Sequence, residues 1–358
     1  MNRVTFQKPI KKVVVLVGFY LPGIYPSGDY TVVSDLLAPA FLKTAADSDP
    51  EIAEQYEIKI LNIPTTEDIE SVVHSINDLN PHVVGYSVYM WNYDQMVESS
   101  HLLKKLRPAI KIILGGPQVT YNSEEVLEAI PEIDIVVCGS GENRLKLILK
   151  SNLMAEDLSK IPRISYRDKN NDILSTQGEV FEDLTNIPSP FKTGVINLDD
   201  GRKHTVYIET SRGCPFECGY CIWGEPDKSL YKFPLQQILD DIEIVYNHPS
   251  VECVYITDAC LFYTRERAKI IIEKISACSR KIPTVATLDI LIVNEDMIND
   301  CKKMELIRNQ FHFGLQTTNP RALELLKRKS GPDIFKKRIE QLRKQIPDSE
   351  ISFDIIYG

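Results

Sequence analysis

The chain has 358 residues, of which 43% are hydrophobic and 25% are charged, and its formal net charge is −9. This composition is that of a globular protein of two domains, and the negative charge argues against a dedicated nucleic-acid surface, because phosphate binding needs clustered Lys and Arg. No apolar run approaches the roughly 18–20 residues that span a bilayer, and the N-terminus lacks the apolar core of a signal peptide, so we expect a cytoplasmic protein without a membrane partner.

The first 154 residues alternate apolar, β-branched runs with amphipathic stretches. The predicted strands cover residues 13–18, 57–63, 82–89, 110–114 and 133–138. The predicted helices cover residues 31–46, 66–80, 93–106, 123–129 and 142–150, with Thr65 or Thr66, Asn92 and Asn122 as capping residues. This alternation predicts an α/β fold with a doubly wound, Rossmann-like parallel sheet. Ligands of such sheets bind outside the carboxyl ends of the strands.

Residues 155–204 are irregular and rich in proline, and we interpret them as a connector that contains one hairpin. From residue 205 the alternation resumes, with strands predicted at 206–209, 253–257, 284–288, 312–316 and 351–356, and helices at 235–246, 265–277, 294–303 and 322–345. This pattern predicts a partial βα barrel over residues 205–358. A parallel strand is normally covered on both faces, and no helix follows the fifth strand, so we expect a barrel truncated after that strand.

The eight cysteines are distributed in two ways. Five stand singly in apolar or helical patterns and are predicted to be buried structural thiols, namely Cys138, Cys253, Cys260, Cys278 and Cys301. The other three, Cys214, Cys218 and Cys221, are crowded into eight residues. Such crowding favours a metal site in a reducing compartment over a disulfide scaffold.

The three crowded cysteines have the spacing C-x3-C-x2-C within ETSRGCPFECGYCIW, residues 209–223, just after a predicted strand. Soft thiolates select zinc or iron–sulfur clusters. Structural zinc needs four ligands, and the next Cys or His downstream is His248, beyond zinc-finger distance. Three ligands leave a coordination position open, as an iron that binds a cosubstrate requires. A zinc knuckle with a remote fourth ligand is the alternative.

The cysteine motif, placed after the first strand of a predicted βα barrel, resembles that of the radical SAM superfamily. The resemblance implies that the three cysteines hold a [4Fe–4S] cluster, whose unique iron binds S-adenosylmethionine, and that Tyr220 lies by the adenine. It also implies that Asp258 contacts the methionine amino group, that Gln316 and Thr317 contact the ribose, and that Arg328 contributes from the following helix. A polar residue at a strand end is also commonly a structural cap, which is the alternative for Asp258 and Gln316.

A doubly wound domain that precedes this motif resembles the cobalamin-binding radical SAM enzymes. The resemblance implies that residues 1–154 bind cobalamin, with contacts from Ser87, Tyr89, Trp91, Gly115, Gly116, Gly139, Gly141 and Glu142. The loop after the first strand, GFYLPG at residues 18–23, lacks the Asp and His that many cobalamin domains carry there. We therefore expect no protein imidazole on the cobalt, and the resemblance to the radical SAM branch implies that cobalamin binds base-off. For residues 139–142 the alternative is a tight strand-to-helix turn, and for Trp91 and Trp223 it is packing.

We therefore expect a cobalamin-dependent radical SAM enzyme, most simply a methyltransferase that acts on an unactivated carbon through a 5′-deoxyadenosyl radical. A flavodoxin- or ferredoxin-like donor would reduce the cluster, and no motif identifies the substrate, which is a small molecule or a peptide. Both cofactors must reach one substrate, so residues 20–25, Trp91 and residues 117–120 should face Tyr220, Trp223 and Asp258 across a cavity. The alternatives are a cobalamin-dependent cyclisation or rearrangement, a non-catalytic cofactor-binding fragment, and a zinc-binding interaction protein.

Overall fold

The computed structural model of the chain describes residues 10–22, 32–179, 183–223, 229–303, 311–348 and 350–357. The chain divides into two compact units. The first unit comprises residues 1–22, 36–182 and 187–195, and the second comprises residues 23–35, 183–186 and 196–358. Among the described residues, no helix has the length and apolar character needed to cross a membrane.

The helices and strands follow one another in regular α/β alternation. The elements before residue 180 are β1 (Lys12–Tyr20), β2 (Val33–Asp35), α1 (Leu37–Asp47), α2 (Pro50–Gln55), β3 (Tyr56–Pro64), α3 (Ile69–Asp78), β4 (Val83–Ser87), α4 (Tyr93–Leu106), β5 (Lys111–Gly115), α5 (Ser123–Ala129), β6 (Ile135–Val137), α6 (Glu142–Lys150), α7 (Ala155–Leu158), β7 (Ile164–Arg167) and β8 (Ile173–Ser175). The later elements are β9 (His204–Ile208), β10 (Ser211–Arg212), β11 (Tyr231–Lys232), α8 (Leu235–Asn247), β12 (Val251–Ile256), α9 (Arg265–Ala277), β13 (Thr284–Ala286), α10 (Glu295–Lys303), β14 (Phe311–Gln316), α11 (Pro320–Leu325), α12 (Pro332–Gln345) and β15 (Ile351–Ile355).

The sheet of the first unit has seven strands in the order β3-β1-β4-β5-β6-β7-β8. The first five are parallel. Apolar side chains extend from both faces of this sheet, as expected where helices cover both sides. One cluster joins the strands to α3, α4 and α5, and a second joins them to α1, α2 and α6. The prediction of a doubly wound α/β fold is thus confirmed for this unit.

Two helices predicted near the start of the chain begin later than predicted. The helix predicted at 31–46 begins at Leu37, because Val33–Asp35 is a strand that pairs in parallel with β9 in the second unit. The helix predicted at 66–80 begins after Asp68, whose carboxylate accepts a hydrogen bond from the Ser71 N–H at 2.9 Å. An Asp satisfies an exposed N–H at a helix start better than the threonines that were predicted to cap it.

The predicted connector is not irregular throughout. Within it, β7 and β8 form an antiparallel hairpin, and β7 pairs with β6, so that the hairpin extends the sheet of the first unit. The hairpin turn is closed by the Asp168 carboxylate, which accepts hydrogen bonds from the N–H groups of Asn170 and Asp172. Asp and Asn stabilise turns by such side-chain contacts.

The described strands of the second unit form a parallel sheet in the order β13-β12-β9-β2, a parallel pair β14-β15 and a short antiparallel pair β10-β11. The helix predicted at 322–345 is wrong, because it is two helices, α11 and α12. Lys327 adopts a φ of +52°, and Pro332, which has no N–H, starts the second helix. Arg328 therefore lies in the turn between two helices, not inside one.

Candidate functional site

The three crowded cysteines follow β10 on one loop of the second unit, and all three are half-buried, free thiols. Gly213 opens the loop with a φ of +86°, and a Cβ there would overlap the Ser229 carbonyl oxygen. Burial raises the pKa of Cys214, and the thiols of Cys221 and Cys218 raise it further.

The donor set of this loop fits a cluster of several irons. Among the described residues, no group of three or more Cys, His, Asp or Glu is placed so that it could hold a metal ion. The chemistry of the side chains is nevertheless that of an iron–sulfur site, because a [4Fe–4S] cluster takes each thiolate on a different iron and the loop carries three free thiols. The predicted roles of Cys214, Cys218 and Cys221 as iron ligands remain predictions.

Arg328 connects the cysteine loop to the end of β14. Its guanidinium donates to the Cys218 Sγ at 3.3 Å and to the Gly314 carbonyl at 2.6 Å. The Asp289 carboxylate lies 3.7 Å away, and the Arg328 side chain is only 9% exposed. The structure thus shows Arg328 holding the Cys218 sulfur, and its predicted contact with S-adenosylmethionine remains a prediction.

Asp258, predicted at the end of the second barrel strand, is buried with 2% exposure. Its carboxylate accepts hydrogen bonds from the Thr210 N–H at 2.7 Å, the Thr210 hydroxyl at 2.6 Å and the Ser211 hydroxyl at 2.6 Å. Burial raises the pKa of Asp258, against the effect of these hydrogen bonds. These contacts tie the end of β12 to the segment that enters the cysteine loop, which favours the structural alternative for Asp258.

Gln316 ends β14 in an unusual conformation. Its φ is +64°, and the β14–β15 register shifts between Gly314 and Gln316, as at a β-bulge. A Cβ on Gly314 would lie 2.6 Å from the Gln316 amide nitrogen, so a larger residue there would displace the Gln316 side chain. Thr317, next in the chain, accepts a hydrogen bond from the Asn319 N–H at 3.2 Å. Residues with a strained backbone cluster at binding sites, and Gln316 has such a backbone while being only 6% exposed. The predicted contacts of Gln316 and Thr317 with the ribose remain predictions.

Large apolar side chains are exposed around the cysteines. Tyr220 and Trp223 are 41% and 50% exposed. Burial of the hydroxyl raises the pKa of Tyr220 to about 12, so the phenol is neutral near pH 7. A cavity of about 340 Å³ opens beside Cys218, lined in addition by Pro215, Phe216, Glu217, Asp289, Leu291, Glu324, Lys327, Arg328 and Lys329.

In the first unit, the predicted cobalamin residues gather at the carboxyl edge of the sheet. The strand register places Gly18, Ser87, Gly115 and Val137 in one row across β1, β4, β5 and β6. The nearest atom to a Cβ on Gly115 would be the Val137 carbonyl oxygen at 4.0 Å. A Cβ on Gly115 would therefore make only an ordinary van der Waals contact.

Gly116 has a different reason to be glycine. Its φ is +112°, and a Cβ there would lie 2.5 Å from the Val88 carbonyl oxygen. Only glycine allows this turn. Gly116 therefore shapes the loop, whereas Gly115 leaves room beside it.

The loop after β4 is organised by Asn92, which the sequence had marked only as a helix cap. Asn92 is 1% exposed, donates to the Ser87 carbonyl at 2.9 Å and accepts from the Tyr89 N–H at 2.8 Å. The rings of Tyr89 and Trp91 stack 4.4 Å apart at 12° to each other, and Trp91 is 47% exposed. The loop therefore presents a flat aromatic surface at this edge.

The turn at residues 139–142 supplies buried polar groups. Gly139 has a φ of +103°, and Glu142, which is 3% exposed at the start of α6, accepts from the Gly141 N–H at 3.1 Å. Ser140 is 7% exposed, and its buried hydroxyl has no partner among the described residues. Sequence reasoning passed over Ser140, although a small polar residue between two glycines was the available signal. An unpaired buried hydroxyl costs about 1–3 kcal/mol, so it indicates a place for a ligand.

No histidine of the first unit lies at this edge. His74 is exposed on α3, His101 pairs with Glu132, and His82 accepts a hydrogen bond from the Val13 N–H at the opposite end of the strands. The expectation of cobalamin without a protein imidazole is compatible with this placement and remains a prediction.

Family models match both halves of the chain. A B12 binding domain matches residues 51–149, and the radical SAM superfamily matches residues 208–358. The first match covers the glycine pair and the turn at 139–142, and the second covers the cysteine loop.

Curated relatives include two methyltransferases and a cyclase. The chain is 29% identical over 234 residues to the cobalamin-dependent radical SAM methyltransferase TokK of Streptomyces tokunonensis, covering 62% of this chain and 33% of the relative. It is 27% identical to the 2-(S-pantetheinyl)-carbapenam-3-carboxylate methyltransferase of Streptantibioticus cattleyicolor, with the same coverages. It is 23% identical to the anaerobic magnesium-protoporphyrin IX monomethyl ester cyclase of a Synechocystis species, covering 67% of this chain and 49% of the relative. The chain spans about a third of the length of the two methyltransferases.

Solved structures share the fold at low sequence identity. The cobalamin-dependent S-adenosylmethionine radical enzyme OxsB, with aqua-cobalamin and S-adenosylmethionine bound, aligns with a TM-score of 0.73 and 15% identity over 97% of this chain and 49% of its own. The radical S-adenosylmethionine methyltransferase TsrM of Kitasatospora setae, with cobalamin and a [4Fe–4S] cluster bound, aligns with a TM-score of 0.71 and 13% identity over 98% of this chain and 70% of its own.

Proposed function

From the premise that this chain belongs to the cobalamin-binding radical SAM proteins, we propose that it is a methyltransferase that acts on an unactivated carbon. The observation that carries the proposal is that each matched domain has a loop whose residues suit one of the two cofactors. In the second unit this is the loop with three free thiols, and in the first unit it is the glycine pair at the end of β5, at the carboxyl edge of the sheet. The two curated methyltransferases support methyl transfer.

When bound, the cluster supplies the electron that cleaves S-adenosylmethionine, and cobalamin supplies the methyl group. Cys214, Cys218 and Cys221 would hold the cluster through their thiolates. Arg328 keeps the Cys218 sulfur in place, and Gly213 sets the turn that presents the loop. The neutral phenol of Tyr220 offers an apolar ring beside the site without adding a charge.

The carboxyl edge of the first sheet would hold cobalamin through shape and hydrogen bonds. Gly115 has no side chain, so the backbone at this edge can come close to a ligand. The unpaired Ser140 hydroxyl can donate to it or accept from it. The stacked Tyr89 and Trp91 rings form an apolar surface on which a flat macrocycle can rest.

The substrate, the donor and the compartment are part of the same proposal. The substrate is a small molecule or a peptide, and the electron comes from a flavodoxin- or ferredoxin-like protein. All eight cysteines are free, which supports a reducing, cytoplasmic compartment.

Anaerobic reconstitution tests the proposal through iron content, bound corrinoid and release of 5′-deoxyadenosine. Replacing Cys214, Cys218 and Cys221 together by Ala should abolish iron–sulfur absorbance and 5′-deoxyadenosine, because each thiolate is a ligand. Cys278→Ala is the control, since this buried thiol lies at the C-terminal end of α9 and its loss should leave the cluster intact. A triple variant that still assembles the cluster would contradict the proposal.

A second candidate is a cobalamin-dependent cyclisation or rearrangement, which the similarity to a cyclase favours. The two reactions differ in the product, because only methyl transfer adds a carbon from S-adenosylmethionine. S-adenosylmethionine labelled in its methyl group separates them. Label in the product supports the methyltransferase, and turnover without label supports the second candidate.

A further inference from the structure

A strongly basic segment follows β14. Residues 319–345, which contain α11, the turn and α12, hold nine Lys or Arg against three Asp or Glu, a net charge of +6 in a chain whose net charge is −9. Like charges that crowd one segment repel one another, so such a concentration favours an oppositely charged partner.

The part of this segment nearest the cysteines is exposed. Arg321, Lys327 and Lys329 are exposed, and Leu325 among them is 73% exposed. Here these four residues are called the basic turn. Among the described residues, no carboxylate lies within ion-pair distance of Lys327 or Lys329. Their charges are therefore available to a partner.

The basic turn is in direct contact with the cysteine loop. The Gly219 N–H, between the second and third cysteines, donates to the Leu326 carbonyl at 3.0 Å. A Cβ on Gly219 would lie 3.3 Å from the Leu325 carbonyl oxygen, so glycine lets the two backbones approach. Lys327 and Lys329 also line the cavity beside Cys218. A partner bound to the basic turn would thus lie next to the cysteine loop, because a backbone hydrogen bond joins the two.

We propose that the basic turn is the docking surface for an acidic one-electron carrier protein, an inference that rests on the proposed function. Charge complementarity speeds the encounter of such pairs about 10- to 1000-fold at low salt, and the exposed Leu325 supplies an apolar contact among the charges. One electron leaves the carrier, which is oxidised by one unit, and enters the cluster, which is reduced by one unit. No bond forms or breaks, and no proton moves.

A nucleic acid is the other polyanion that a basic surface can bind. The remainder of the chain carries all of the excess negative charge, and nucleic-acid binding normally needs many phosphate contacts spread over a wide surface. A small basic surface in contact with a thiolate loop fits a transient electron-transfer complex better, since such complexes have small interfaces.

The test measures transfer of electrons to the reconstituted full chain from reduced flavodoxin, with reduced ferredoxin in parallel. Lys327→Glu together with Lys329→Glu should lower the second-order rate constant about tenfold or more at low salt. The wild-type rate should fall as salt increases, and the rate of the variant should not. Lys105→Glu together with Lys169→Glu makes the same change of charge on exposed residues of the first unit and should have little effect. Photoreduced 5-deazariboflavin, a neutral reductant, should reduce all three proteins equally.

Calorimetric binding of oxidised flavodoxin to the chain without a cluster provides a second readout. The K327E/K329E variant should bind about tenfold more weakly than wild type. Equal affinity and equal rate in the two proteins would overturn the docking proposal, as would an equal loss in the K105E/K169E control. So would unchanged flavodoxin kinetics accompanied by weaker binding of tRNA to K327E/K329E. A wild type that accepts the electron from flavodoxin but releases no 5′-deoxyadenosine would contradict the proposed function and leave the docking result standing.

Discussion

Arg328 contacts three separate segments of the second unit at once, namely the cysteine loop, the end of β14 and Asp289. The sequence identified the three cysteines from spacing alone, because soft ligands crowded on a loop have few other uses. It could not identify the hydrogen bond from Arg328 to Cys218, because 110 residues separate the two. The same holds for the hydrogen bonds of Asp258, whose donors belong to Thr210 and Ser211, 48 and 47 residues earlier in the chain.

Arg328→Gln should weaken the hold of the loop on its cluster. The change removes the guanidinium that donates a hydrogen bond to the Cys218 sulfur. It also leaves the Asp289 carboxylate without the charge of Arg328 beside it. We expect a loss of about 1–3 kcal/mol in the free energy of unfolding and faster loss of iron from the reconstituted protein to a chelator. Arg265→Gln is the control, because its exposed pair with Asp296 contributes little. Equal iron retention in R328Q and wild type would show that the contact does not support the cluster.

At the scale of elements, the sequence predicted most strands of both units, missed the short strands β2, β10 and β11, and misplaced several boundaries of helices. The helix predicted at 322–345 shows why. Its apolar spacing continues across the break, although Gly331 and Pro332 were the available signal that one helix ends and another begins. The strand β2 was missed because a three-residue strand is too short to show an alternating pattern.

The loop after β5 allows the two roles of glycine to be separated. Gly116→Ala should lower the free energy of unfolding by about 1–3 kcal/mol, because Ala resists a positive φ and its Cβ would meet Val88. Gly115→Ala should change stability by less than about 1 kcal/mol, since a Cβ there would make only a van der Waals contact, at 4.0 Å from the Val137 carbonyl oxygen. It should nevertheless weaken corrinoid binding. Urea unfolding and equilibrium binding of hydroxocobalamin check both. Equal stability losses in the two variants would contradict this division.

At the scale of the whole molecule, the chain leaves the first unit after Pro22 and returns to it at Leu36, contributing β2 to the sheet of the second unit in between. The contact that fixes this strand is His204, which is fully buried between Asp35 at 2.6 Å and Asp200 at 3.0 Å. Hydrophobic patterning cannot reveal that β2 belongs to the second unit, because the pattern shows which residues are buried and not which strand they pack against. How the two carboxyl edges face each other remains a prediction from the sequence.

This histidine should make stability depend on pH. Burial disfavours the imidazolium, but Asp35 and Asp200 outweigh it and raise the pKa of His204 above 6.5. The ion pairs therefore contribute fully below about pH 6.5 and lose their contribution as pH rises through the raised pKa. Arg202 lowers the pKa of Asp200 to about 2, so Asp200 remains charged throughout this range. His204→Gln should cost more stability in urea at pH 6 than at pH 9, and the exposed His74→Gln should show no such difference. A cost independent of pH would refute the ion-pair role.

The detour of the chain through β2 limits how such a protein can be recombined. A single crossover within residues 183–203 would exchange everything from β9 onward but leave β2 with the old N-terminal part. The incoming sheet would then have to accept a foreign edge strand, or expose the unpaired N–H and C=O groups of β9, which invites aggregation. Viable chimeras should therefore carry residues 32–35 from the same parent as β9, together with the His204 partner Asp35. Each unit is compact in itself, but a single cut in the gene does not divide one from the other.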